Sequence, residues 1–265
     1  MSHKEVWMAR KQLRFLTREH NREIGVRWYR EQFSQAPPEA VLGDASNAYA
    51  RDPLYTGAPE AAFELLPQCR LIYIVREPHA RIVSHYRHRL VTGQEWRSFN
   101  RAVHEDPSYL VASLYRHQIA CWRKLFPADR LLVLRFESMV ADPKRIALVV
   151  EKFFGLTHDP KTTIGRENAS TDRKISPTVI RLLRRLSPRS GRLIARVWQR
   201  NRFIGKWASD LDVSFSSQTL DRLNEELSKD RLLLAQLAGE DIADFNSVPT
   251  ARLPTIIQSE PTQTI

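Results

Sequence analysis

Residues 71–88 read LIYIVREPHARIVSHYRH. Five apolar or aromatic residues, Leu71–Val75, run directly into Arg76. Glu77-Pro78 follows, then a basic stretch that holds Ser84. A short run rich in branched side chains, without polar alternation, predicts a strand of a parallel sheet covered on both faces. Pro78 suits a first helical position, where its missing N–H costs nothing and its φ is preset, so a helix is expected from Pro78 to about Leu90. An open parallel sheet binds ligands at the carboxyl ends of its strands, which is where Arg76 falls. Its guanidinium can grip a phosphate bidentately. Ser84, near the second turn of the helix, can donate to the same anion, and the helix start adds a favourable partial charge. The plainer alternative is an exposed strand-end arginine and a serine on a polar helix face.

Working outward, Leu131–Phe136 (LLVLRF) is a second strand of the same kind, and Val41–Leu42 a shorter one. Tyr109–Phe126 reads as a helix with Tyr115, Ile119, Trp122 and Phe126 on one face. Asp142-Pro143 is a cap-plus-proline start for a helix that Gly155 ends. Ser176-Pro177 repeats the device, with Ile180, Leu183 and Leu186 inward. Leu220, Leu223, Leu227, Leu234 and Leu237 mark a last long helix ended by Gly239. After Asn246 the chain is polar and aperiodic, and 246–265 is expected to be a disordered tail. Strands alternating with helices predict a mostly parallel α/β sheet with a helical C-terminal part.

The chain has 265 residues, 42 % of them hydrophobic, enough for one large domain or two small ones and for a full core. Its 2 cysteines, Cys69 and Cys121, give neither a disulfide framework nor a metal spacing, so ordinary thiols in a reducing compartment and no metal are expected. Met1–Arg30 is charged throughout, without the apolar core of a signal peptide. No stretch approaches the roughly 20 apolar residues of a membrane span. A cytoplasmic protein is expected. The net charge of +11 suits an acidic partner such as nucleic acid, a phosphorylated cofactor or an anionic glycan, and equally a solvated basic surface.

YIVREPHARIVSHYRH resembles the 3′-phosphate-binding segment of sulfotransferases that use 3′-phosphoadenosine-5′-phosphosulfate (PAPS). Their pattern of apolar strand, Arg-x-Pro, Arg and Ser-x-Tyr is similar to Arg76, Pro78, Arg81, Ser84 and Tyr86. GVRWYREQF (Gly25–Phe33) resembles the family's Gly-x-x-Trp-Tyr segment, and GDASNAY its Gly-Glu-x-Ser-x-x-Tyr. YRHQIACWRKLFPADRLLVLRFESMVADP follows the family's helix, Phe-Pro turn, strand and Glu-x-x-x-x-Asp-Pro run. FFGL matches too, and LNEELSKDRLLLAQLAGEDIADF resembles the closing helix of bacterial members. The resemblance covers roughly residues 5–245. It implies a three-layer, mostly parallel sheet of P-loop NTPase-like type over residues 1–245, and PAPS as sulfuryl donor. It further implies that Arg76 and Ser84 hold the 3′-phosphate. Arg173 and Lys174, in a run where relatives close a loop over the cofactor (GRENASTDRK), are by that resemblance expected to add a second grip, and equally read as solvated charge before a helix. Asp44, Ser46 and Tyr49 are expected to line the acceptor pocket, and Tyr115 to lie near the cofactor.

Two departures qualify this. The family opens with a strand, a Lys-x-Gly-Thr-Thr/Ser-like loop and a helix that wrap the 5′-phosphosulfate, much as a P-loop cradles phosphates. Nothing like that loop occurs here, and the first glycine, Gly25, has no expected strand before it. HKEVWMARKQLRFL resembles the segment that follows the family's first helix. The domain is therefore expected to be N-terminally incomplete, from a late start codon or a truncated gene. Neighbouring strands would be left unpaired, with apolar faces exposed and a tendency to aggregate. In KQLRFL, Gln12 stands where glycan-modifying relatives carry a glutamate that serves as candidate general base. An amide cannot take the acceptor proton, a loss of roughly 10²–10⁴-fold. His20 or Asp44 are the substitutes in reach.

The implied reaction moves a sulfuryl group to a hydroxyl or amine of a small-molecule, lipid or glycan acceptor. One rival is a non-catalytic relative that binds nucleotide or sulfated glycan. A basic nucleic-acid-binding protein is disfavoured by the lack of a recognition-helix, zinc or aromatic-platform motif. A P-loop nucleotide kinase is disfavoured by the missing loop.

Overall fold

The computed structural model describes residues 3–9, 12–18, 20–92, 94–162 and 213–237. The expected helix after Ser176-Pro177, the Gly239 stop, the 246–265 tail, and Arg173 and Lys174 lie outside them. The described part is α/β. Strands β1 (Val6–Met8), β2 (Val41–Gly43), β3 (Leu71–Val75) and β4 (Leu131–Arg135) form two parallel pairs, β1 with β2 and β3 with β4.

β1 corrects the expectation of no strand before Gly25. It is three residues long, too short to show a periodicity, and it exists because it pairs in register Val6↔Val41 through Met8↔Gly43. A Cβ at Gly43 would run into the Met8 sulfur, so a larger residue at that rung would displace the exposed Met8 side chain. The residues just before β1 are tied to the chain beyond β4. The buried His3 ring bonds the Thr157 carbonyl at 3.0 Å, and Glu5 accepts the Thr157 amide at 3.2 Å.

β3 pairs with β4 from Leu71↔Leu131 to Val75↔Arg135. It is covered on one face among the described residues, not both. Tyr73 and Val75 are buried against Tyr115 and Ile119, while Ile72 and Ile74 are 37 % and 49 % exposed. β4 stops one residue early, because Phe136 opens the next helix.

The helices are α1 (Val26–Glu31), α2 (Ala58–Leu65), α3 (Pro78–Val91), α4 (Phe99–Glu105), α5 (Ser108–Val111), α6 (Tyr115–Arg123), α7 (Phe136–Ala141), α8 (Pro143–Phe154) and α9 (Ser217–Leu237). α8 carries the expected caps. Asp142 accepts from the Arg145 amide, and Gly155 sits at φ 70, where a side chain would be strained. The helix expected over Tyr109–Phe126 is instead broken at 112–114. The break sends Tyr109 into one core cluster, with Ile82, Tyr86 and Leu227, and Tyr115 with Ile119 into another, beside β3. A continuous helix would hold both tyrosines on faces fixed by 3.6-residue spacing.

α9 buries Leu223 and Leu227 against α3 and α4 residues. Its Asp230 accepts from the Arg116 amide at 3.0 Å, capping an α6 whose own preceding residue, Leu114, offers no side-chain cap. No helix among the described residues is long and apolar enough to cross a membrane.

Candidate functional site

The carboxyl end of β3 is held still from two sides. The buried Tyr115 hydroxyl, from α6, donates to the Arg76 carbonyl at 2.8 Å and accepts from the Arg76 amide at 3.2 Å. Glu137, from α7, accepts the next amide, Glu77 N–H, at 2.9 Å. Glu77 then caps α3 by accepting from the His79 and Ala80 amides. Burial pushes its carboxyl up, but the hydrogen bonds from His79 and Ala80 outweigh this and hold it below the usual carboxylate range. The α3 N-terminus is therefore satisfied by the protein's own carboxylate, contrary to the expectation that it would serve the anion. Any grip on an anion here falls to side chains.

Those side chains are cationic and underpartnered. The Arg76 guanidinium lies over the Phe136 ring, 4.7 Å from its centroid, and has no carboxylate partner among the described residues. Ser84 is half-buried on α3, and its hydroxyl takes no partner among them. On the same helix are Arg81, His85 and Arg89, joined by Arg51 from the segment after the single turn Asn47–Ala50. Arg51 Nε, Arg81 Nη1 and His85 Nδ1 are buried nitrogens without a hydrogen-bond partner among the described residues. Among the described residues, Arg89 alone of this group has a carboxylate, Asp106 at 2.6 Å.

Electrostatics bind the cluster together. Burial lowers the Arg51 pKa from its ordinary value, and the charges of Arg81, Arg14 and Arg89 add to the effect. Burial, then Arg51, Arg81 and Arg89, push the His85 imidazole down to about 3, so it is neutral at pH 7. Arg81 also acts on the hydroxyls of Tyr73 and Tyr115, which places its charge toward the β3 end. Buried like charges with Asp106 as their one carboxylate among the described residues are costly, so the cluster has the electrostatics of an anion site.

The expected acceptor residues come together, but around one another. Asp44 accepts from the Tyr49 hydroxyl at 2.5 Å and from the Ser46 hydroxyl at 3.0 Å. The Ser46 oxygen accepts the Arg14 amide at 3.0 Å, and the Tyr49 oxygen accepts the Phe15 amide at 3.0 Å. Burial raises the Asp44 pKa against the bonds from Tyr49, Ser46, Leu13 and Tyr29. This clasp pins the segment that carries Gln12, which is itself exposed. It also holds Arg14 at φ 53, a left-handed conformation uncommon for a side-chain-bearing residue. His20, through Nδ1, bonds the Thr17 hydroxyl at 2.7 Å.

Tyr115 is thus a brace for Arg76 rather than a free group. Arg51, Arg81 and His85 were not singled out as site residues from sequence. Arg81 and His85 share the α3 face that Ser84 borders, a helical spacing open to inspection; Arg51 is brought in only by folding.

Residues 2–160 match the model of the family described as the sulfotransferase family. Over 167 residues the chain is 25 % identical to heparan sulfate glucosamine 3-O-sulfotransferase 5 of Mus musculus and of Homo sapiens, covering 58 % of this chain and 47 % of the relative. Over 157 residues it is 26 % identical to the bifunctional heparan sulfate N-deacetylase/N-sulfotransferase 1 of Mus musculus, covering 52 % of this chain and 17 % of that one. The chain thus spans about half the length, or less, of the curated relatives it matches. A solved sulfotransferase from Alicyclobacillus acidocaldarius superposes with a TM-score of 0.53 at 19 % identity, over 74 % of this chain and 87 % of that one, a likeness of fold.

Proposed function

The chain belongs to the sulfotransferase family, and from that premise we propose that it transfers a sulfuryl group from PAPS to a hydroxyl or amine of an acceptor. Arg76 and Ser84 hold the donor's 3′-phosphate, with Arg81 and Arg51 supplying further positive charge. The observation that carries this reading is the set of buried nitrogens on Arg51, Arg81 and His85 that have no hydrogen-bond partner among the described residues. Donors left so when desolvated cost stability unless an anion completes them. A nucleotide 3′-phosphate has the charge and acceptor atoms to do so.

The 265 residues contain no Lys-x-Gly-Thr-Thr/Ser-like loop to cradle the donor's 5′-phosphosulfate. In the transfer itself the protein's work is to place donor and acceptor in line and to neutralise charge on the donor. The sulfur–oxygen bond to the donor phosphate breaks, a bond to the acceptor oxygen or nitrogen forms, and the acceptor proton leaves. Gln12 cannot take that proton, and the Asp44 carboxylate is already occupied by its four donors. The proton passes to solvent in this reading. The relatives' names carry heparan sulfate, which favours a glycan among acceptor classes.

A second reading, a non-catalytic nucleotide-binding member, is favoured by Gln12 and by the missing Lys-x-Gly-Thr-Thr/Ser-like loop. Incubation with radiolabelled PAPS and a panel of heparan-type glycan, lipid and small alcohols separates the two. Label in one acceptor class, with release of the 3′,5′-bisphosphate, is the expected result. Nucleotide binding without label in any class would establish the second reading.

A further inference from the structure

We propose that Asp52, His117 and Cys121 form a binding site for a divalent transition-metal ion of the zinc class. His117 and Cys121 stand four residues apart on α6, so both project from one face of the helix. Asp52 reaches them from the segment after the Asn47–Ala50 turn. Asp52 Oδ1 lies 2.6 Å from His117 Nε2, and Cys121 Sγ lies 4.0 Å from the same oxygen and 3.9 Å from the same nitrogen. An oxygen, a nitrogen and a sulfur thus face one another around a common centre, which corrects the expectation that the chain has no metal-ligating set.

The geometry distinguishes this from an acid–imidazole–thiol relay. A relay uses the two ring nitrogens for different partners, one toward the carboxylate and one toward the nucleophile. Here Nε2 alone faces both Asp52 and Cys121, so the ring has no second nitrogen between them with which to pass a proton. Convergence on one atom set is what a metal needs. Zinc–oxygen and zinc–nitrogen bonds of about 2.0–2.1 Å and a zinc–sulfur bond of about 2.3 Å place tetrahedral ligand atoms roughly 3.3–3.6 Å apart. The Asp52–His117 pair would open by about 0.7 Å and the thiol would close by about 0.4 Å, both within side-chain rotation.

The backbone behind the ligands is already set. Gln118, 1 % exposed, donates to the Asp52 carbonyl at 2.5 Å and accepts the Asp52 amide at 3.1 Å. The α6 N-terminus is fixed by Asp230. Metal sites work best on such rigid supports. The mixed sulfur, nitrogen and oxygen set suits zinc-class ions and not magnesium or calcium. With side chains 50 % exposed at His117 and 27 % at Asp52, an ion has a way in, and three protein ligands leave a fourth position for water or an external group. Once bound, it would clip Asp52, next to Arg51 of the cationic cluster, onto the helix whose Tyr115 braces Arg76.

Titrating tag-free, chelator-stripped full-length protein with Co²⁺ tests this. The expected result is one ion per chain, a thiolate-to-cobalt charge-transfer band, tetrahedral d–d absorption displaced by Zn²⁺, and a Tm raised by several degrees. Cys121→Ser abolishes the charge-transfer band while Cys69→Ser keeps it. His117→Ala, at an exposed position that leaves folding intact, weakens binding by at least about tenfold. Zn²⁺ also slows alkylation of Cys121 and leaves Cys69 unchanged. Absence of the band, a band that survives Cys121→Ser, or an alkylation rate at Cys121 indifferent to Zn²⁺ would each overturn the proposal.

Discussion

The Tyr115 hydroxyl bonds both main-chain groups of Arg76, donating to its carbonyl at 2.8 Å and accepting its amide at 3.2 Å. A strand end is ordinarily where ladder bonds run out and the backbone loosens. Here one buried phenol replaces the lost ladder and fixes the point from which the guanidinium projects.

Tyr115→Phe removes both bonds and keeps the ring that packs on Tyr73. Leaving a part-buried amide and carbonyl unsatisfied costs about 1–3 kcal/mol of stability. The variant is expected to unfold at lower urea concentration and to bind adenosine 3′,5′-bisphosphate more weakly than wild type. Unchanged values for both would show that the phenol braces nothing.

His85 sets a pH dependence of defined sign. Its folded pKa, about 3, lies below the ordinary value of 6.5 because of burial and the charges of Arg51, Arg81 and Arg89, which outweigh Asp106. Between those values the unfolded chain binds a proton that the folded chain refuses. The neutral ring's contribution is therefore intact above pH 6.5 and is lost as pH falls toward 3, by up to about 1.4 kcal/mol per pH unit. His85→Gln removes that slope while carboxylates titrate as before. Urea midpoints of the two proteins across this window should diverge in slope, and parallel curves would remove His85 from the cluster. Bound bisphosphate, by offsetting the arginines, should raise the His85 pKa seen by NMR.

Asp44 organises the clasp on the 13–16 segment. Asp44→Ala leaves the Tyr49 and Ser46 hydroxyls without their acceptor. The expected loss is about 3 kcal/mol, against about 1 kcal/mol for Ser46→Ala, which removes one donor to Asp44 and the acceptor of the exposed Arg14 amide. Denaturant unfolding of both variants measures it. Equal effects would mean that the carboxylate is not the hub.

What the sequence makes legible is what is local. β3, α3 and α8 are announced by an apolar run, a proline at a helix start and an Asp-Pro to Gly frame, each acting within a few residues. The bonds that set the site join residues far apart: Tyr115 to Arg76, Asp230 to Arg116, Asp44 to Tyr29, Asp52 to His117. Periodicity carries no information on such pairs. Glu77 shows the opposite failure. Its place before Pro78 marks the helix start correctly, but its carboxylate takes the very amides that were expected to serve the anion. β1 is invisible alone because three residues carry no period, and only pairing to β2 makes it a strand.

The direct test of the account is calorimetric titration of adenosine 3′,5′-bisphosphate into wild type and Arg76→Ala at fixed ionic strength. A charge-assisted bond to phosphate is worth about 1.5–3 kcal/mol, so the variant should bind roughly 10–150 times more weakly, with its fold unchanged. Equal affinities, or no binding by wild type, would contradict the assignment of this arginine to the nucleotide.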